Sequence, residues 1–195
     1  VKKWATPPTE IYVDQTSLGL LSTAAQEEFM SVLREVNNES IPDGTCGRVR
    51  PLPINVGPAS GYKNGSIVIR FHSEPGSNAP RQYGDDGIVT ASMAQYSSQT
   101  HNNLDINRDE RKHNIAHELS HDLGYDHAFG HGYNNGLQDG NNRTTRFSPQ
   151  EKFGACIVYS DWTAPGNKAD DNNPRYSAPA GSSASSLSDV SGTAN

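Results

Sequence analysis

Residues 65–71 constrain the fold more than any other stretch of the chain. Ile67, Val68 and Ile69 follow one another between turn residues, the pattern of a strand apolar on both faces and therefore central in its sheet. The segments around it supply candidate neighbours. Residues 10–16 alternate Ile11 and Val13 with polar residues after the Pro7-Pro8 pair, which predicts a short strand. Ala25, Phe29, Val32, Leu33 and Val36 recur at helical intervals behind a capping-box spacing at Thr23 and Gln26, with Asn37 and Asn38 as the stop. Residues 49–56 are broken by Pro51 and Pro53, so a strand there belongs at an edge or carries a bulge.

Beyond the central strand, 74–87 reads as a Gly/Pro/Asp loop, 88–96 as a further strand and 104–107 as a brief one. A second helix then starts, capped by Asn107 or Asp109. Asp109 and Glu110 suit its N-terminal dipole, Ile115, Ala116, Leu119 and Leu123 line its buried side, and Gly124 stops it. Residues 128–146 are rich in Gly and Asn without any period, a loop of a length that compact domains keep for function. At Ser148-Pro149-Gln150-Glu151 a third helix begins, with Phe153, Cys156, Ile157, Val158 and Tyr159 as its apolar face, and it runs to about Trp162. The remainder, 163–195, holds too little apolar surface to fold alone. The expected fold class is α+β with an α/β-like N-terminal part: one domain over 1–162, divided near 124, followed by a Ser/Ala/Gly/Pro-rich tail.

Charge and composition narrow the function classes. With 16 Lys+Arg against 22 Asp+Glu, the chain lacks the basic footprint that a phosphate backbone requires, so nucleic acid is not an expected partner. No apolar run approaches the ~20 residues that span a bilayer, so no membrane is expected either. The 18 Gly and 12 Pro, with abundant Asn, Ser and Thr, suit a loop-rich extracellular domain. Val1 stands first with no charged-then-apolar leader, which reads as the mature form of a secreted protein. Cys46 and Cys156 fit one disulfide closing a long loop in an oxidising compartment, the alternative being two buried thiols.

The chemistry is concentrated in His117-Glu118-Leu119-Ser120-His121-Asp122-Leu123-Gly124-Tyr125-Asp126-His127. Histidines four apart stand one turn above each other on a helix, so both imidazoles reach one cation at the ~2.0–2.1 Å that zinc takes. Gly124 can adopt the left-handed conformation that ends a helix, turning the chain so that His127 completes the set. Three neutral nitrogens leave the fourth zinc position open to water, the arrangement of a catalytic rather than a structural ion. Glu118, beside the first ligand, is placed to take that water's proton and pass it to a leaving amine, so the implied reaction is peptide hydrolysis without a covalent intermediate. Chance supplies the first five positions about once in a hundred such sequences, and Gly124 with His127 lowers this to roughly one in tens of thousands. Acidic clusters at Asp85-Asp86, 139–142 and 170–173 are loose oxygen-donor sets of the kind calcium (Ca2+) takes, but none fits a defined loop and solvated turns are the plainer reading.

Residues 117–127 resemble the extended zinc motif of the metzincin metallopeptidases at every fixed position, and the element order over about 10–162 is similar to theirs. Small secreted bacterial members, the snapalysins and matrixin-like enzymes, are nearest in size. The resemblance implies a twisted, mostly parallel sheet with one antiparallel edge strand, an active-site helix carrying the first two ligands, and a small C-terminal part ending in a helix. It implies a secreted, monomeric endopeptidase with one catalytic Zn2+ held by His117, His121 and His127, and Glu118 as general base. The protein or peptide substrate would lie along edge strand 88–96, pairing by strand addition.

Several positions depart from the family pattern or leave its assignments open. The family's Met-containing turn below the zinc has no Met here, since Met30 and Met93 both lie upstream. Its place falls at 136–140, with Gln138 at the Met position, or at 155–159, with Val158 there; the first register keeps the helix from Ser148 as the terminal one. Snapalysins take Asp as third ligand, and Asp126 directly precedes His127, which keeps the spacing. Tyr133 and Tyr159 are candidates for a tyrosine that steadies the oxyanion, with packing as their plainer role, and His113 and His131 read as solvent-facing. The alternative function is a zinc-containing binding module that has lost turnover, against which the presence of Glu118 argues.

Overall fold

The structure is a computed structural model and describes residues 4, 8–40, 51–84, 88–125, 144–146 and 148. Within them the chain forms β1 (Glu10–Asp14), α1 (Gln15–Leu18), α2 (Thr23–Ser40), β2 (Ile54–Gly57), β3 (Ser66–His72), β4 (Arg81–Tyr83), β5 (Val89–Ser97), α3 (Ser98–Asn102) and α4 (Arg108–Asp122). The strands form one mixed sheet in the order β2-β1-β3-β5-β4. Neighbours run parallel except for β4, which is antiparallel to β5. The fold is α+β, with one antiparallel edge strand on an otherwise parallel sheet.

β3 takes the central place its apolar run demanded, with Ile67, Val68 and Ile69 fully buried. Register puts Ile11 beside Ile67 and Val13 beside Ile69, and sets Ile69 and Phe71 against Ala94 and Tyr96 of β5. These side chains share one core with Ala25, Phe29, Val32, Leu33 and Val36 of α2 and Ile115, Ala116, Leu119 and Leu123 of α4. Each large apolar side chain buried in this way contributes roughly 1.5–3 kcal/mol. The Phe29 ring meets Phe71 edge-on at 4.7 Å and His101 at 5.1 Å, so α3 is also drawn into this layer.

Several local expectations are corrected. β1 stops at Asp14 rather than continuing to residue 16, because the Asp14 carboxylate accepts from the amides of Thr16 and Ser17 and starts α1. α2 is capped by Ser22, whose hydroxyl accepts from the Ala25 amide, while the Gln26 side chain reaches back to the Leu21 carbonyl. Asn37 does not end this helix, which runs to Ser40. It turns inward and clamps the Leu52 backbone, donating at 2.7 Å and accepting at 2.9 Å. Residues 104–107 form a turn, not a strand: Asn107 there accepts from the Asp109 amide and caps α4.

A further correction concerns the sheet edge. All of the expected strand 88–96 but its first residue falls in β5, which is interior, with β3 on one side and β4 on the other. The edge on this side of the sheet is β4, from within the expected loop 74–87; three residues with an irregular register at Gln82/Tyr83 are too few to show a strand's alternation in sequence. Cys46, Cys156, His127, Asp126, His131, Tyr133, Tyr159, both registers of the Met-turn, the acidic clusters, the third helix beyond Ser148 and the tail all lie outside the described residues. Among the described residues, no helix is long and apolar enough to cross a membrane.

Candidate functional site

Helix α4 carries the site, and its sequence fixes it from both sides. The Asn107 cap and the first-turn acids Asp109 and Glu110 complement its N-terminus. Its first turns are tied to α2 by ion pairs: Arg108–Glu35 at 2.8 Å, Lys112–Glu39 at 2.9 Å and Arg111–Glu28 at 3.2 Å. Arg111 and Lys112 are themselves buried, so these pairs escape part of the solvent screening that weakens exposed ones.

At about 100° per residue, His113, His117 and His121 form one stripe on α4, opposite the core stripe of Ile115, Leu119 and Leu123. All three are half-buried. The His117 and His121 rings stand 4.7 Å apart, nearly perpendicular, and the His113 ring lies 5.6 Å from that of His117. His121 Nδ1 lies 2.7 Å from the carbonyl oxygen of Tyr125. A carbonyl only accepts, so Nδ1 carries the hydrogen and Nε2 the lone pair, the tautomer a metal ligand needs. His113 makes the same bond to the Thr144 carbonyl at 2.6 Å, which corrects the expectation that it faces solvent.

The helix ends as its sequence predicts. Gly124 has φ 99°, its amide donates to His121 O at 2.8 Å and the Tyr125 amide donates to Ser120 O at 3.1 Å, a Schellman closure. That closure brings the Tyr125 carbonyl back over the His121 ring. Gly124 therefore sets the turn that fixes the tautomer of His121.

Glu118 lies between the two stripes and is 5% exposed. Its Oε2 has no hydrogen-bond partner among the described residues, and burial pushes the carboxyl up to about 7. Beside it, Asp122 is fully buried: it accepts from the Ser92 hydroxyl of β5, and its own carbonyl accepts from the Trp4 indole at 2.7 Å. Burial holds the Asp122 carboxyl well above the usual carboxylate range, against the Ser92 hydrogen bond that lowers it. Sequence reasoning passed over Asp122, although its position seven after Ile115 put an ionisable group near the buried stripe. Its contacts pin the end of α4 to β5.

The structure thus brings together His117, Glu118 and His121 of the expected site. Among the described residues no group of three or more His, Cys, Asp or Glu converges as a metal site. Two imidazoles one turn apart, one of them in the ligating tautomer, beside a buried carboxyl with an unpartnered oxygen, are chemically suited to part of a zinc site; the expected third ligand, His127, lies outside the described residues. No protein-family model matches the chain, and neither the curated proteins nor the solved structures contain a match.

Proposed function

We propose that the chain is a secreted, monomeric zinc endopeptidase of metzincin type, with His117, His121 and His127 holding the metal and Glu118 as general base. The observation that carries this reading is the arrangement on α4: paired imidazoles 4.7 Å apart, with the buried Glu118 carboxyl near pKa 7 next to them. The sheet supports it too, since one antiparallel edge strand beside a mostly parallel set is what the resemblance implies.

Zinc, when bound, supplies a Lewis acid that acidifies water and polarises the scissile carbonyl. Glu118 contributes a carboxylate poised near neutral pH, able to take a proton at Oε2 and release it to the departing amine. His121 contributes a fixed ring orientation through Tyr125. With β5 enclosed, the role of substrate-pairing edge passes to β4, whose Gln82 and Tyr83 are exposed; an extended peptide adds there as a further strand.

The test is cleavage of reduced casein read by mass spectrometry, with a zinc chelator and after zinc is restored. Internal cuts that disappear with chelator and return with zinc are expected. A folded, zinc-loaded protein that makes no cut would instead be the binding module.

A further inference from the structure

Two hydrogen bonds tie α4 to the sheet edge, one on either side of His117, Glu118 and His121. Ahead of them, the Asn114 side-chain oxygen accepts from the Ser77 hydroxyl at 3.2 Å. Behind them, the Asp122 carboxyl accepts from the Ser92 hydroxyl, whose oxygen also lies 3.5 Å from the Pro80 carbonyl. Residues 77–83 are in turn held to β5. Asn78 exchanges backbone bonds with Gln95 in both directions, the Pro80 carbonyl accepts from the Met93 amide at 3.0 Å, and Arg81 stands opposite Ser92. The spacing of the ties matches on the two elements: from Asn114 to Asp122 the helix rises about 12 Å, and an extended run from Ser77 to Arg81 covers about 13 Å. A slip of the edge by one residue pair, about 7 Å, would part both bonds.

We propose that Asn114 and Asp122 are positioning residues that fix the register of the edge segment 77–83 against the helix carrying His117 and His121, so that a peptide added to β4 presents its scissile bond to Glu118 and the paired imidazoles. The inference rests on the zinc endopeptidase reading above. Pairing with β4 holds a peptide but leaves open where along α4 its carbonyl falls. The two ties supply that alignment, and a misplacement of about 1 Å costs about 10²-fold in rate. Their loss is therefore read in kcat rather than KM, because the backbone pairing that binds the peptide survives it.

The experiment uses the full, zinc-loaded chain, a synthetic peptide spanning one internal cut in reduced casein, and amide hydrogen exchange of residues 77–84 read by mass spectrometry. Ser77→Ala/Ser92→Ala is expected to lose on the order of 10² in kcat, with KM within about threefold of wild type. It should keep its zinc, and should exchange faster over 77–84 while 115–119 stay protected. Asp122→Asn, which keeps an oxygen to accept from Ser92, is expected to stay within about threefold of the wild-type kcat, and Asp122→Ala to fall well below it. Asn37→Ala, which removes a buried clamp away from the site, should keep the wild-type kcat. Should the double variant fail to fold, Ser77→Ala alone carries the comparison, with a loss of about tenfold. Unchanged kcat or unchanged exchange in the serine variants overturns the inference, as does a loss confined to KM, a loss of zinc, or an Asn37→Ala variant slowed to the same degree. Wild-type protein that makes no cut removes the endopeptidase reading and this inference with it, a failure visible before any variant is compared.

Discussion

His121 donates from Nδ1 to the carbonyl of Tyr125 at 2.7 Å, across a glycine whose φ is 99°. One turn of chain therefore both closes α4 and fixes which imidazole nitrogen bears the hydrogen. The backbone stop and the chemistry of the candidate ligand are a single device.

Replacing Gly124 by Ala tests that device. A side chain at φ 99° costs about 1–2 kcal/mol, so the urea midpoint of the metal-free protein should fall accordingly. Zinc affinity should fall further than the stability loss alone predicts, because relaxing the turn draws the Tyr125 carbonyl away from His121. An Ala variant with unchanged midpoint and unchanged affinity would mean that the turn is not what orders this end of the helix.

Glu118→Gln keeps the size and removes the base. Turnover of a peptide substrate is expected to fall by roughly 10²–10⁴, with zinc stoichiometry unchanged by atomic emission. Activity retained at the wild-type level in the Gln variant would sink the assignment of Glu118.

The sequence made α4 legible because three independent signals coincide there: an Asn cap, a period-3.6 apolar stripe and a glycine stop, each of them local. β3 was equally plain, since an unbroken Ile67-Val68-Ile69 run has few other homes. What escaped is non-local. β4 is three residues whose strand character comes from pairing with Ser92, Ala91 and Val89, not from any pattern of its own. The stop expected at Asn37 failed because its amide is satisfied by Leu52, which lies fifteen residues on, and a residue that breaks a helix when alone can extend one when clamped. The hydrogen bond of His113 was hidden likewise, since its acceptor is a backbone carbonyl 31 residues away.

The Asn37 clamp gives a stability prediction independent of the candidate site. Asn37 is 3% exposed and serves both the amide and the carbonyl of Leu52, so Asn37→Ala leaves two backbone groups without their partner. A loss of about 1–3 kcal/mol in denaturant unfolding is expected. Asn37→Asp should be no better than Ala, since it keeps the acceptor but sets a carboxylate against the Leu52 carbonyl. An Asp variant as stable as wild type would show that the donated bond contributes nothing.

His101 gives the pH dependence. Its ring is boxed by Phe29, Phe71 and Tyr96, and its Nε2 donates to Asn114 Oδ1 at 3.2 Å, an oxygen that also accepts from Ser77. Burial lowers its pKa to about 4, Asn114 opposing this and the Arg111 guanidinium adding to it. The unfolded chain takes up a proton near pH 6.5 that the folded chain refuses until about 4, so the stability this group contributes is present above 6.5 and is lost as pH falls through that window. Relative to His101→Phe, which keeps an aromatic ring in the box but cannot titrate, wild type should lose about 2 kcal/mol between pH 7.5 and pH 5. Glu118 and Asp122, whose raised values act in the opposite direction, are present in both proteins and cancel in the difference. Urea unfolding of the pair at several pH values reads this directly, and a difference that stays flat across the window would mean that the folded protein accommodates the charged ring.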